Sequence, residues 1–128
     1  MSTSRFKGWA AYAKGFRLAS SIFRLTATFP KEENYSLTNQ IRRSSRSVCA
    51  NLAEGYGKRR YPKHFRAKVT DAASENFELQ TWLDFALSCN YISKKDHGLY
   101  TKAAEEVGKL LTYMEQNPQK FTAKPWDD

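Results

Sequence analysis

Four stretches of helical periodicity, each bounded by residues that interrupt helices, constrain the fold of this chain most strongly. Within each stretch apolar residues recur at three- and four-residue steps, which places them on one face of an α-helix. Pro30, Pro62 and Pro118 lie at the boundaries, where proline ends or begins helices. The pattern predicts one domain over residues 1–128, with helices at about 9–28, 36–57, 62–89 and 94–116 and a mobile tail at 117–128.

These four helices, joined by short links, predict an all-α fold, an antiparallel four-helix bundle. The stripe of the first helix comprises Trp9, Tyr12, Ala13, Phe16, Ala19, Phe23 and Ala27. That of the second comprises Leu37, Ile41, Ser44 or Ser45, Val48 and Leu52. The third has Phe65, Val69, Ala72 or Ala73, Asn76, Leu79, Leu83 and Ala86, and the fourth has Tyr100, Ala103, Val107, Leu110 and Met114.

Local signals indicate where the helices begin and end. Ser36 is a favourable N-cap for the second helix, and Ser93 followed by Asp96 resembles a capping box. Gly55 and Gly57 favour a glycine C-cap, although Gly55 also suits close packing inside the helix.

The third helix is apolar on more than one side. Phe77, Trp82 and Phe85 lie beside its stripe, and the chain has 18 aromatic residues in all. This is more apolar surface than one small core needs, so we expect a homo-oligomer that covers the excess.

Positive charge is concentrated in one stretch. From Ile41 to Lys68 there is one acid, Glu54, and there are nine basic residues, Arg42, Arg43, Arg46, Lys58, Arg59, Arg60, Lys63, Arg66 and Lys68. The stretch carries a net charge of +8, equal to that of the whole chain, so the remainder is balanced. Such a local field is typical of proteins that bind a polyanion, most often nucleic acid. The alternative is a solvated helix face, which usually mixes both signs.

A second face of the second helix carries Arg43, Ser47, Asn51 and Glu54. Residues 43 and 54 project together because eleven residues make about three helical turns. This face suits contact with a ligand. The favoured interpretation is a structural polar network at Asn51 and Glu54, with Glu54 paired to an arginine of a neighbouring helix or subunit.

Signatures of catalysis are not found in the sequence. It has no P-loop and no HExxH or paired CxxC motif, and neither His64 nor His97 follows a Glu by three residues, as a di-iron bundle requires. Cys49 has no evident His or Asp partner, and a nuclease built from Glu54 and His64 is a weak alternative. We therefore predict that the chain is not an enzyme and uses no metal or cofactor.

The compartment is predicted from what the sequence lacks. No apolar run approaches the length of a membrane span or resembles a signal peptide, and Cys49 and Cys89 look like ordinary helix residues. A reducing cytoplasm is the expected compartment.

The segment ANLAEGYG at Ala50–Gly57 brings a family resemblance. With QIRRSSRSV, FPKEE and ENFELQTWLDFA, it resembles the bacterial four-helix-bundle family named for proteins encoded in ribosomal-RNA intervening sequences. The resemblance spans roughly residues 9–116, and Cys49 stands where many members have proline. The nine basic residues of Ile41–Lys68, called the basic block, make the chain most similar to one branch of this family, the accessory variability determinant of diversity-generating retroelements.

This resemblance implies a homopentameric barrel without catalytic activity, in the cytoplasm of a bacterial cell or phage-infected host. It implies an accessory protein that associates with a reverse transcriptase in mutagenic reverse transcription and retrohoming, and that binds RNA and DNA with little sequence specificity. All nine basic residues from Arg42 to Lys68 are the expected contacts to phosphate or partner. Tyr56 and Tyr61 are candidates for stacking on bases or, equally, for packing at helix ends.

Two other functions stay open at this point. One is a structural or interaction protein whose basic surface docks an acidic protein partner. The other is an intervening-sequence protein with the same fold and a role around ribosomal RNA.

Overall fold

A computed structural model describes residues 5–122, which contain four long helices. They are α1 (Ala10–Leu25), α2 (Leu37–Gly57), α3 (Pro62–Ser88) and α4 (Lys94–Gln116), each within three residues of its predicted range. Short 3-10 helices occur at Arg5–Gly8, Thr26–Thr28, Lys31–Glu33 and Pro118–Lys120. No residue from 5 to 122 belongs to a β-strand.

The four helices form a bundle in which each packs against two neighbours. α1 contacts α2 and α4, and α3 contacts the same two helices. Neighbouring helices are antiparallel, because Arg43 near the start of α2 pairs with Glu75, whereas Glu54 near its end pairs with Lys68, earlier in α3. The pairs between α3 and α4 show the same inversion.

The cores of α2 and α3 follow the predicted stripes. The buried residues of α3 are those of its predicted line, Phe65, Val69, Ala72, Asn76, Leu79, Leu83 and Ala86. In α2 the buried set includes Leu37, Ile41, Ser44, Ser45, Val48 and Leu52. A Cβ on Gly55 would lie 3.3 Å from the Lys68 Cβ. Gly55 is therefore a close-packing residue inside α2, and no glycine among the described residues adopts a positive φ.

The predicted stripe of α1 is wrong in part, since Ala19 is buried and Trp9 and Tyr12 pack against the core, but Phe16, Phe23 and Ala27 are exposed. Its buried residues are Ala11, Gly15, Leu18, Ala19 and Ile22, whereas Phe16 and Phe23 are 56% and 48% exposed. Small residues let α1 approach α2 closely, since a Cβ on Gly15 would already lie 3.4 Å from the Cys49 sulfur. The large aromatic side chains are left on the outside.

The seam of α4 differs from its prediction by one position in two places. The buried residues are Ala104, Val107, Leu111 and Met114. Ala103 and Leu110 of the predicted seam are only partly buried and pack at the edge of the core. Ala104 and Leu111 therefore occupy the centre of the core, where Ala103 and Leu110 were predicted.

One carboxylate joins two connections at the same end of the bundle. The Ser36 side chain does not cap α2 as predicted. Instead Glu33 Oε1 accepts a hydrogen bond from the Leu37 backbone N–H at 3.2 Å, and Glu33 Oε2 accepts one from the Tyr91 hydroxyl at 2.8 Å. The hydrogen bond to Glu33, together with burial, raises the pKa of Tyr91 to about 12.

The turn between α3 and α4 is a Schellman motif. Asn90 has a φ of 60°, and the Tyr91 N–H donates to the Ala86 carbonyl at 2.9 Å. The Asp96 N–H then donates to Ser93 Oγ at 3.0 Å. This bond confirms the predicted role of Ser93 at the start of α4.

Residues 117–122 of the predicted mobile tail pack against the bundle. The Phe121 ring lies 5.7 Å from that of Trp9 and 6.4 Å from that of Phe65. This apolar contact holds the segment after α4 beside the start of α1. Residues 123–128, which include Trp126, lie outside the described residues.

Candidate nucleic-acid interface

Part of the basic block pairs with acids of this chain. Within residues 5–122, three of the nine predicted residues form ion pairs, namely Arg43 with Glu75 and Glu78, Arg66 with Glu115, and Lys68 with Glu54. Each pair joins two helices of one protomer, so part of the charge of the block is neutralised within the fold.

Arg43 lies between two carboxylates of α3. Its Nη1 is 2.8 Å from Glu75 Oε2, its Nη2 pairs with Glu78, and Glu78 also accepts a hydrogen bond from the Trp82 indole at 3.1 Å. Burial tends to raise the pKa of Glu78, but the hydrogen bonds from Arg43 and Trp82 outweigh it and leave this pKa below its ordinary value. Hydrogen bonds from Glu75 and Glu78 raise the pKa of Arg43.

An Arg43→Gln variant should lose about 1 kcal/mol of stability at pH 7, a modest value because the Arg43 side chain is 42% exposed. A carboxyl whose folded pKa is lowered stabilises above its ordinary pKa of about 4.3 and loses that contribution as pH falls. The difference from wild type should therefore shrink by about pH 3. Urea unfolding at both pH values measures it. Arg17→Gln, on an exposed face of α1, is the control, and an equal loss there would rule out the pairing.

Asn51 and Glu54 do not contact each other as one network. Glu54 pairs across the helix interface with Lys68 at 2.8 Å, and this hydrogen bond raises the pKa of Lys68. Asn51 donates within its own helix to the Ser47 carbonyl at 2.9 Å. The partner of Glu54 is thus a lysine of a neighbouring helix rather than an arginine.

The region 58–63, which includes the link between α2 and α3 and the first two residues of α3 and is called the α2–α3 connection, holds a second group of predicted residues, Lys58, Arg59, Arg60 and Lys63. Lys58 and Lys63 are exposed and form no ion pair with any of residues 5–122. The Arg59 guanidinium lies over the Tyr56 ring at 4.2 Å and donates to the Tyr56 carbonyl at 3.2 Å. This connection therefore presents cations at one end of the bundle.

The two tyrosines beside this connection have different environments. Tyr56 packs against Phe6 and Trp9, with ring centroids 5.2 and 6.0 Å apart, so it serves helix-end packing. Tyr61 is 60% exposed and, among the aromatic rings described, contacts only that of His64, in a T-shaped arrangement. Of the two, Tyr61 keeps a ring face accessible for stacking.

Arg42 and Arg46 form a third group, on the outer side of α2. Arg42 Nε donates to Thr26 Oγ1 at 2.7 Å, its Nη2 donates to the Phe23 carbonyl at 3.3 Å, and its guanidinium lies 4.4 Å from the Phe23 ring centre. The Arg46 guanidinium lies 5.5 Å from the same ring. Beside them runs a polar groove of about 620 Å³ whose lining includes Asn34, Asn39, Arg42, Arg46 and Ser47.

Sequence reasoning missed Phe23 as part of this surface. Its place in the apolar periodicity of α1 suggested burial, whereas the ring supports two arginines at the surface. Arg24 lies one residue further on and lines the neighbouring groove. The one available signal was that Arg17 and Arg24 fall beside the aromatic stripe of α1.

The structure shows little chemistry beyond charge and stacking. Among residues 5–122 no group of three or more His, Cys, Asp or Glu side chains is placed to hold a metal ion. Burial raises the pKa of Cys49 to about 11, which disfavours the thiolate that a nucleophile needs. No helix in the described range has the length and apolar character needed to cross a membrane.

Comparison with known proteins extends these observations. A family model described as 23S rRNA-intervening sequence protein matches residues 7–113. A crystal structure of a protein with unknown function from the S23 ribosomal protein family of Bacteroides thetaiotaomicron has a TM-score of 0.75 and 24% sequence identity, over 83% of this chain and 95% of that chain. This likeness concerns the fold. The chain matches no curated protein.

Proposed function

This chain belongs to the family of 23S rRNA-intervening sequence proteins, and we propose that it is a non-enzymatic accessory protein that binds nucleic acid. One observation carries the proposal. After the ion pairs within the bundle have formed, Lys58, Lys63 and Arg46 still have no carboxylate partner among residues 5–122. Unpaired cations at the protein surface attract phosphate, and binding releases condensed counterions.

The binding expected of this surface is weakly specific. Arginine offers a planar fork that pairs with phosphate, and lysine offers a mobile point charge. Recognition of a nucleotide sequence requires side chains that hydrogen-bond to the edges of bases. The α2–α3 connection has no Asn or Gln side chain that could make such contacts beside its exposed cations. Both RNA and DNA should therefore bind, with affinity set mainly by charge.

We further infer that the partner enzyme is the reverse transcriptase of a diversity-generating retroelement, in mutagenic reverse transcription and retrohoming in the cytoplasm. The concentration of basic residues in Ile41–Lys68 supports this branch of the family. We also infer that the protein forms a homopentamer. Phe77 and Phe85, which are 67% and 53% accessible in the protomer, supply apolar surface for the interface between copies. Five copies of one cationic connection around an axis would add avidity to weak contacts.

The test removes charge from the α2–α3 connection. In a variant with Arg59, Arg60 and Lys63 changed to Gln, affinity for RNA, single-stranded DNA and duplex DNA should fall at least about tenfold near 0.1 M salt, and the salt slope should shrink by about 2 to 3. Fluorescence anisotropy across a salt series measures both quantities.

A matched control removes the same charge elsewhere. Lys94, Lys95 and Lys102 are exposed residues of α4, and their triple Gln variant should bind nearly as wild type does. An equal loss in both variants would mean that only overall charge matters, and an unchanged slope in the first would remove the connection from the site. Absence of binding by wild type at low salt would move the basic surface to an acidic protein partner.

A further inference from the structure

A second groove lies directly beside the polar groove of α2. It runs between α1 and α2, has a volume of about 450 Å³, and is lined by Tyr12, Phe16, Phe23, Arg24, Arg46 and Cys49 among others. Arg46 lines both this aromatic groove and the polar groove. The arrangement sets an aromatic surface next to a polar, cationic one, with one arginine between them.

The aromatic groove is lined by two phenylalanine rings that are largely exposed. Phe16 is 56% exposed and Phe23 is 48% exposed, and they are seven residues apart, two turns of one helix. The Tyr12 ring stacks on Phe16 at 6.1 Å and 29°, which holds the Phe16 ring in place. The two rings lie about 10 Å apart along α1, and of the two it is the Phe23 ring that carries the guanidiniums of Arg42 and Arg46.

The charges around both grooves have one sign. Among residues 5–122, the linings contain Arg24, Arg42, Arg43 and Arg46 and no Asp or Glu. Arg43 is already paired with Glu75 and Glu78, and Arg42 is partly engaged by Thr26. Arg46 has no ion pair or hydrogen bond with any described residue, so its guanidinium remains open to an anion next to the aromatic rings.

We propose that the aromatic groove binds single-stranded nucleic acid, with an unpaired base stacked on Phe16 and a phosphate held by Arg46, whose guanidinium lies beside the Phe23 ring. The proposal rests on the function proposed above and assigns it a second site, distinct from the α2–α3 connection. Stacking on aromatic side chains needs bases that are free of a duplex. Duplex DNA can therefore use the cationic surfaces but not the Phe16 ring.

The neighbouring chemistry favours a nucleic acid over an acidic peptide. A strand alternates flat apolar bases with charged phosphates, and the two adjoining grooves offer aromatic rings on one side of Arg46 and polar groups, including Asn39 and Ser47, on the other. RNA and DNA share this chemistry. Additional contacts from the 2′-hydroxyl to the polar groove would distinguish them by a higher affinity for RNA.

The decisive variant is Phe16→Ala in the full chain. Affinity for 12-nucleotide single strands of RNA and DNA should fall at least about fivefold, while affinity for a 12-base-pair duplex and the salt slope should remain as in wild type. Phe16→Tyr should retain the single-strand affinity. Tyr113→Ala is the matched control, since Tyr113 is also an exposed aromatic residue, 45% accessible, but lies on α4 and lines neither groove.

A second readout reports stacking directly. An oligonucleotide that carries 2-aminopurine should lose fluorescence on binding to wild type and lose less on binding to Phe16→Ala. A single-strand affinity that is unchanged by Phe16→Ala, or that falls together with duplex affinity, overturns the proposal. Equally tight binding of polyglutamate would also overturn it, because charge alone would then explain the groove.

The outcomes separate this site from the broader function. If wild type binds nucleic acid and only the variant of the α2–α3 connection weakens it, the function stands and the aromatic site fails. If wild type binds no nucleic acid, both fail. Mass measured by light scattering completes the test, since a smaller mass for Phe16→Ala would show that the groove is covered by a second copy of the chain.

Discussion

Replacing Phe65 with alanine should lower the free energy of unfolding by about 3–5 kcal/mol. Phe65 is fully buried, and its ring lies 6.0 Å from that of Trp9 and 6.4 Å from that of Phe121. Alanine would leave a cavity where α3 begins, bounded by side chains from both ends of the described chain. A domain is stable by only about 5–15 kcal/mol, so this is a large fraction of the total.

Urea unfolding followed by circular dichroism, at one protein concentration, measures the Phe65 effect. Tyr35→Ala provides the control because Tyr35 is 96% exposed, and its change should stay within about 0.5 kcal/mol. Similar losses of unfolding free energy in the two variants would contradict the buried position of Phe65 between Trp9 and Phe121.

The second large effect is expected of Asn76→Asp. Asn76 is 2% exposed, its Nδ2 donates to the Ala104 carbonyl at 2.9 Å, and its Oδ1 has no hydrogen-bond partner among the described residues. An ionised aspartate of the same shape would place two acceptor oxygens and a charge against that carbonyl. The cost should be at least about 3 kcal/mol at pH 7, the range for an uncompensated buried charge.

The loss in Asn76→Asp should depend on pH. Burial favours the neutral carboxyl, so its folded pKa is raised above the unfolded value of about 3.9. The unfolded chain then releases its proton first, and the destabilisation grows as pH rises above that value. Unfolding at pH 3.5 should show a much smaller difference from wild type than unfolding at pH 7.

A surface substitution of the same kind controls for the change of charge. Asn39 is exposed on the first turns of α2, where an added carboxylate suits the helix dipole. Asn39→Asp should be neutral or slightly stabilising at pH 7. A deficit in Asn76→Asp that stays constant between pH 3.5 and 7 would show that the lost donor, and not the buried charge, is responsible.

Much of the fold could be predicted because periodicity and helix-breaking residues are local properties. Pro62 begins α3 and Asn90 turns the chain after it, and both can be recognised within a few residues. Which face of α1 turns toward the core could not be predicted in this way. Phe16 looks like a core residue by type, but the close approach of α1 and α2 is made by Gly15, and which side of a helix meets its neighbour depends on residues far away in the sequence.

The positive charge of the candidate site could be predicted from the sequence, but the ion pairs that its basic residues form could not. The density of cations in Ile41–Lys68 is visible in the sequence, whereas Glu75 and Glu78 lie 32 and 35 positions after Arg43 and reach it only through antiparallel packing. The same holds for Arg66 and Glu115, 49 positions apart. Which cations remain unpaired is therefore a property of the folded bundle.

The hydrogen bonds of Glu33 have a consequence for how the bundle opens. Its two oxygens hold the first amide of α2 and the Tyr91 hydroxyl together, so neither connection can separate from this end without releasing the other. Local unfolding here should be cooperative, with amides at the start of α2 and in the α3–α4 turn exchanging with solvent as one unit.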